Sequence, residues 1–122
     1  YFYPKDNTPG CTTEGQDFTR LHAEFANVNT DIIGISRDSA RSHLGFAEKH
    51  SFPFTLLADT EETACKAFDV IHEKKNYGRV YMGIVRSTFL FDAGGVLAQE
   101  WRGVRVKGHV EAVLEAARAL QA

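Results

Sequence analysis

The strongest constraint on the fold is a repeated change in hydrophobic period along the chain. Two short, continuous apolar runs, residues 31–36 and 54–58, are separated and followed by segments whose apolar residues recur at helical spacing. The helical segments carry Phe18, Leu21, Phe25 and Val28 before the first run, Leu44, Phe46 and Ala47 between the two, and Ala64, Ala67, Phe68 and Ile71 after the second. Ahead of them all, Tyr1, Phe2 and Tyr3 form an aromatic, strand-like run stopped by Pro4. Strand and helix patterns therefore alternate three times, which implies right-handed crossovers and parallel strands. Runs apolar throughout are expected at the centre of a sheet covered on both faces. Ser39 is the expected cap of a helix reaching about His50, and Asp59 or Thr60 the cap of the next.

The period changes again near the end. Residues 87–91, a turn at 92–95 and residues 96–101 read as a β-hairpin, antiparallel by necessity, so the sheet is mixed. Val106, Val110, Val113, Leu114 and Ala117 then outline a closing amphipathic helix. Residues 71–85, rich in charge and holding Gly78 and Gly83, read as an irregular connection. With 122 residues in all, these elements must share one core, so residues 1–122 are expected to form a single domain.

Charge and composition exclude several functions. Fourteen Lys and Arg against sixteen Asp and Glu, with no basic arm, argue against nucleic acid as a partner. No apolar run approaches the roughly 18 residues of a spanning helix, so membrane embedding is not expected. Two cysteines cannot staple a scaffold and form no CxxC, and the five His show no metal-ligand spacing; neither a metal nor any other cofactor is expected. The two thiols are either inert or chemical.

Cys11 has the better claim to chemistry. Thr8-Pro9-Gly10-Cys11 reads as a helix start, with Thr at the cap, Pro in the first turn, and Glu14 and Asp17 near the positive end. Cys11 lies two turns before Phe18 on the same apolar side, so it is expected in the first turn facing inward. A capping Thr8 hydroxyl is expected to point at the N–H of Cys11. A free Cys is otherwise most often a small buried hydrophobe.

The run from Pro4 to Cys11, with Pro, Thr and Cys spaced P-x-x-x-T-x-x-C, resembles the active-site signature of the peroxiredoxins. Its fuller wording, YFYPKDNTPGCTTE, is similar to the bacterioferritin comigratory protein branch, also called peroxiredoxin Q. Residues 31–37, 54–59 and 86–89 are similar to that branch in order and spacing, so the likeness covers essentially the whole chain. It implies an α/β, thioredoxin-like three-layer sandwich, a mixed β-sheet flanked by helices. By the same comparison the family's opening strands are missing, and the chain reads as N-terminally truncated.

The resemblance also implies a thiol-dependent peroxidase that reduces hydrogen peroxide and organic hydroperoxides through a cysteine sulfenic acid. A free cysteine of pKa about 8.5 is only about 3% thiolate at pH 7, and a helix N-terminus with a nearby cation can lift that fraction to roughly 90%. Peroxide reduction further needs donors that stabilise charge on the departing oxygen. Carried over residue by residue, Pro4 shields the thiolate, Thr8 orients the peroxide, Cys11 attacks, and Arg86 polarises Cys11 and the peroxide. Tyr3 is read as core packing, Trp101 and the His residues as structural or surface, and Asp6 and Asn7 as loop solvation.

The chain departs from that branch at the resolving step. The sulfenic acid is commonly returned to thiol through a second cysteine. The position five after Cys11 is Gln16, and the alternative position in the next helix is Ala47. Only Cys65 remains, and it reads as a packed core thiol. The expectation is a one-cysteine enzyme resolved by an external thiol, thioredoxin or glutathione with glutaredoxin, acting as a cytoplasmic monomer with a dimer as the alternative. Two rivals stand beside it: an atypical two-cysteine peroxidase using Cys65, and a redox sensor or chaperone-like protein that signals through oxidised Cys11.

Overall fold

The computed structural model describes residues 1–121. Its element order is α1 (Pro9–Arg20), α2 (His22–Asn27), β1 (Ile33–Ser36), α3 (Ala40–His50), β2 (Thr55–Ala58), α4 (Thr63–Ala67), β3 (Ile71–Asn76), β4 (Arg79–Ile84), β5 (Ser87–Phe91), β6 (Leu97–Arg102) and α5 (His109–Gln121). β1 pairs with β2 in parallel, and β5 with β6 antiparallel. Phe2 joins the two pairs through a parallel bridge to Ile35 and an antiparallel bridge to Ser87. The first three residues thus run through the middle of a mixed sheet, and the chain leaves that position directly into the loop before α1.

Alternation along this short segment sets the layers, because successive side chains of a strand point to opposite faces. Tyr1 and Tyr3 enter one core with Cys11 and Phe18 of α1, Phe25 of α2, Phe46 of α3 and Val110, Val113 and Leu114 of α5. Phe2 enters the other, with Cys65 of α4, Val70 and Ile84. Helices therefore cover both faces of a mixed sheet, the expected three-layer α/β sandwich of thioredoxin-like type. Among the described residues no helix is long and apolar enough to cross a membrane.

Several elements differ from the sequence reading. Residues 71–85 are not an irregular connection: β3 and β4 form a regular antiparallel hairpin, closed by Tyr77 and Gly78, both in the left-handed region at φ 51° and 77°. Most of this hairpin is exposed on both faces, so no apolar alternation marks it. Ile71 lies in this hairpin and not on the preceding helix. The helical run from Phe18 to Val28 is broken at Leu21 into α1 and α2. β2 is the outer neighbour of β1 and is largely exposed, not buried. In α3, Ser39 caps as expected, accepting from the N–H of Ser42, but Leu44 is 62% exposed and His43 turns inward instead. Glu62 precedes α4, whose free N–H groups at Ala64 and Cys65 are taken by the Asp59 carboxylate.

α5 begins with a buried histidine. His109 Nε2 lies 2.8 Å from Thr88 Oγ1, and burial above all, with the positive charge of Arg86 adding to it, lowers its pKa to about 4. A histidine held neutral in the fold contributes stability above its ordinary pKa of about 6.5, and that contribution is lost as pH falls through the depressed value. The thermal midpoint should therefore decline between pH 6.5 and 4, and His109→Asn should flatten that slope.

Candidate active site

Local sequence explains why Cys11 sits where it does. Pro9 begins α1 without an N–H to satisfy, and Thr8 precedes it in extended conformation, φ −85° and ψ 153°. The first bond into the helix is from Thr12 N to Thr8 O, 2.9 Å. Cys11 is in the first turn and 1% exposed, as its spacing to Phe18 implies.

The expected cap is not made. The Thr8 hydroxyl donates to Lys5 O at 2.7 Å, and no side chain caps α1. The cause is the tight loop before it: Asn7 adopts the left-handed region at φ 63°, which folds the Lys5 carbonyl back onto the Thr8 side chain. The N–H groups of Gly10 and Cys11 have no protein partner among the described residues, and together with the positive end of the helix dipole they suit an anionic or strongly accepting ligand. No acidic side chain occupies that first turn.

Arg86, in the short link between β4 and β5, reaches this helix end from across the fold. Its Nη2 donates to Cys11 Sγ at 3.4 Å and its Nη1 to Glu14 Oε1 at 2.6 Å. Gly10 makes room for it, because a Cβ there would sit 3.2 Å from Nη2. Burial works against the Arg86 charge, but Glu14 and Cys11 outweigh it and push its pKa further up. Glu14 is fully buried; burial raises its carboxyl above the usual range, with Arg86 pulling in the opposite direction. A planar fork with two donors facing two acceptors fixes the guanidinium in one orientation against the sulfur.

From sequence alone Glu14 is only an acidic residue near a helix start. Its position carried a better signal: Cys11, Glu14, Gly15 and Phe18 share the inward face of α1, and a carboxylate on a buried face requires a cationic partner. Asp6 also differs from its sequence reading. Asp6 is 5% exposed, not a solvated loop residue, and its carboxylate accepts from Tyr3 Oη at 2.6 Å and Ser42 Oγ at 2.8 Å, with His43 Nδ1 at 2.8 Å. Tyr3 is core packing as expected, with its hydroxyl committed to this network. Asn7 is exposed, and Pro4 is half-buried where the segment turns into the loop.

The second thiol is placed differently. Cys65 is fully buried in the cluster around Phe2, on the face of the sheet opposite the cluster that holds Cys11. Burial, then the Asp59 carboxylate, pushes it up to about 12.

Known proteins are similar to this chain in both sequence and fold. The AhpC/TSA family model matches residues 1–100. Peroxiredoxin Bcp of Xanthomonas campestris is 54% identical over 119 residues, covering 98% of this chain and 74% of its own. Peroxiredoxin Bcp of Bacillus subtilis is 56% identical over 115 residues, covering 94% of this chain and 73% of its own. Among solved structures, Xanthomonas campestris peroxiredoxin Q superposes with a TM-score of 0.95 at 52% identity, over 100% of this chain and 77% of that one. An uncapped helix start holding a buried cysteine against a fixed arginine is thus found in a chain that belongs to the AhpC/TSA family, among its peroxiredoxins of the bacterioferritin comigratory protein and peroxiredoxin Q branch.

Proposed function

We propose that this thiol-dependent peroxidase uses Cys11 as its nucleophile, Arg86 and Thr8 to position and polarise the peroxide, and Pro4 to shield the sulfur. The observation that carries this is the Arg86 fork, which bonds Cys11 Sγ and is held by buried Glu14. The thiolate sulfur attacks one peroxide oxygen, an S–O bond forms as the O–O bond breaks, and the electron pair leaves on the second oxygen, which takes a proton to give water or an alcohol. The Thr8 hydroxyl, its proton engaged by Lys5 O, has lone pairs free to accept from the hydroperoxide O–H. The uncapped N–H groups of Gly10 and Cys11 and the Arg86 guanidinium supply the donors that developing charge requires. A solved relative, the Xanthomonas campestris bacterioferritin comigratory protein, is described for its alkyl peroxide reduction activity. We extend that substrate class to this chain, alongside hydrogen peroxide.

The resulting Cys11 sulfenic acid is resolved by an external thiol. Gln16 and Ala47 stand where an intramolecular partner is expected, and Cys65 is buried on the other face of the sheet with its thiol kept protonated. A Cys11–Cys65 disulfide needs Cα atoms within about 7 Å, hence unwinding of α1. One thiol attacks the sulfenic sulfur and releases water; a second thiol then frees Cys11 as a new disulfide forms on the reductant. Thioredoxin or glutathione with glutaredoxin fills this role, and the enzyme works as one domain, as a cytoplasmic monomer. Assaying peroxide loss with the two reducing systems in parallel tests this: Cys65→Ser should retain most of the wild-type rate with whichever system supports turnover. A rate collapse in Cys65→Ser would move the resolving step to Cys65.

A further inference from the structure

Pro4 and Thr8 are carried on one loop, residues 4–8, that must be held against Cys11. Its midpoint is Asp6. The Asp6 N–H donates to Asp38 Oδ2 at 2.9 Å, and its carboxylate takes hydrogen bonds from Tyr3, Ser42 and His43. Asp38 is itself fixed by the Ser36 hydroxyl. The loop is thus pinned at its centre to α3 and to the end of β1, two residues from Pro4 on one side and two from Thr8 on the other.

His43 is the unusual member. It is 4% exposed; Nδ1 faces Asp6 Oδ2 at 2.8 Å and Nε2 faces Leu57 O at 3.0 Å. A carbonyl oxygen only accepts, and so does an ionised carboxylate, so both ring nitrogens must carry protons if Asp6 is charged. Asp6, Asp38 and His43 also have ligand atoms within 4.8 Å of one another, but Ser36, Ser42, Tyr3 and the Asp6 N–H already donate to these carboxylates.

We propose that His43 is a positioning residue for peroxide reduction: as an imidazolium paired with buried Asp6, it latches the loop of residues 4–8 to α3 and so holds Thr8 and Pro4 around Cys11. This rests on the peroxidase reading of Cys11. Burial alone lowers a histidine's pKa, but the Asp6 carboxylate outweighs it and raises His43, while the bonds from His43, Tyr3 and Ser42 overcome burial and lower Asp6. The groups facing the ring are Asp6 and Tyr3 from the first segment, Asp38 from the end of β1, and only the Leu57 carbonyl from β2. With His43 raised, the latch is complete below its ordinary pKa and is lost as pH rises through the raised value.

The test compares two reactions of Cys11 in the full chain. Reaction with peroxide needs the placed loop, whereas alkylation by iodoacetamide needs only the thiolate and access to it, and release of the loop around buried Cys11 cannot reduce that access. In His43→Gln and Asp6→Asn, kcat/KM for peroxide should fall about tenfold to a hundredfold, the range for a misplaced positioning group, with alkylation as fast as in the wild type or faster. The double variant should be no worse than either single one, since the two act as a unit. In the wild type, the peroxide rate per thiolate should decline as pH passes the His43 pKa, in step with loss of the second ring proton followed by 15N NMR. Should the variants not fold, that wild-type comparison decides alone. A His43 ring that loses its second proton at or below the ordinary histidine value of about 6.5, or variants with unchanged peroxide kinetics, would overturn the latch. A wild type that consumes no peroxide defeats the peroxidase reading instead, and is told apart because the NMR titration is still read.

Discussion

Cys11→Ser should reduce peroxide consumption at least about a thousandfold, to the level of the uncatalysed reaction with the reductant alone. Serine is nearly isosteric with cysteine and suits the first turn of α1, so the fold is retained and the Arg86–Glu14 pair should survive. What is lost is the polarisable sulfur: a hydroxyl is not ionised at neutral pH and cannot accept an oxygen from a peroxide as sulfur does. The helix end and the guanidinium are then left with a ligand they can bind but no nucleophile to attack it. Steady-state assays with hydrogen peroxide and an alkyl hydroperoxide check this, and wild-type activity in Cys11→Ser would place the chemistry elsewhere. Consumption of many peroxide equivalents per wild-type chain would further separate an enzyme from a one-shot sensor.

Replacing Arg86 should damage both activity and stability, and the two effects should separate. Arg86→Lys keeps a charge, but one ammonium cannot reproduce a fork that meets Glu14 at 2.6 Å and Cys11 at 3.4 Å. A loss of about a hundredfold in kcat/KM is expected, as for removal of one placed donor at a developing charge. Arg86→Ala should lose at least as much activity and also destabilise the fold by about 3–5 kcal/mol, because Glu14 stays buried without its counterion. That penalty depends on pH. Glu14's pKa is already raised by burial, and loss of Arg86 raises it further, so Arg86→Ala should regain stability as pH falls and lose it as pH rises through that value. Adding Glu14→Gln should restore much of the stability at neutral pH but none of the rate. Denaturant melts at two pH values, run beside the kinetics, check both halves.

The parts of the site legible in sequence are those whose partners are close along the chain. The helix start at Thr8 and Pro9 and the inward aim of Cys11 follow from local chemistry and a seven-residue spacing to Phe18. The β5–β6 hairpin and α5 were readable for the same reason, since periodicity and turn residues are local signals. Arg86 was not of that kind: one of many surface-like charges, it became a site residue only through resemblance, and its bond to Cys11 spans 75 positions. Asp6 looked like loop solvation because its partners, Ser42 and His43, lie 36 and 37 residues on. Glu14 is hidden because an acidic residue near a helix start also reads as a dipole partner, although it shares one face of α1 with Cys11 and Phe18. The β3–β4 hairpin escaped because backbone pairing holds it together while its side chains stay in water, leaving no period to read.

Cys11 alone should carry the oxidised sulfur and wait for an outside thiol. The most direct test is to treat reduced protein with one equivalent of peroxide, trap with dimedone, and map the products by mass spectrometry without reduction. Dimedone on Cys11 at near-stoichiometric yield, with Cys65 unmodified, is the predicted result. A Cys11–Cys65 disulfide at high yield, or the label on Cys65, would contradict it.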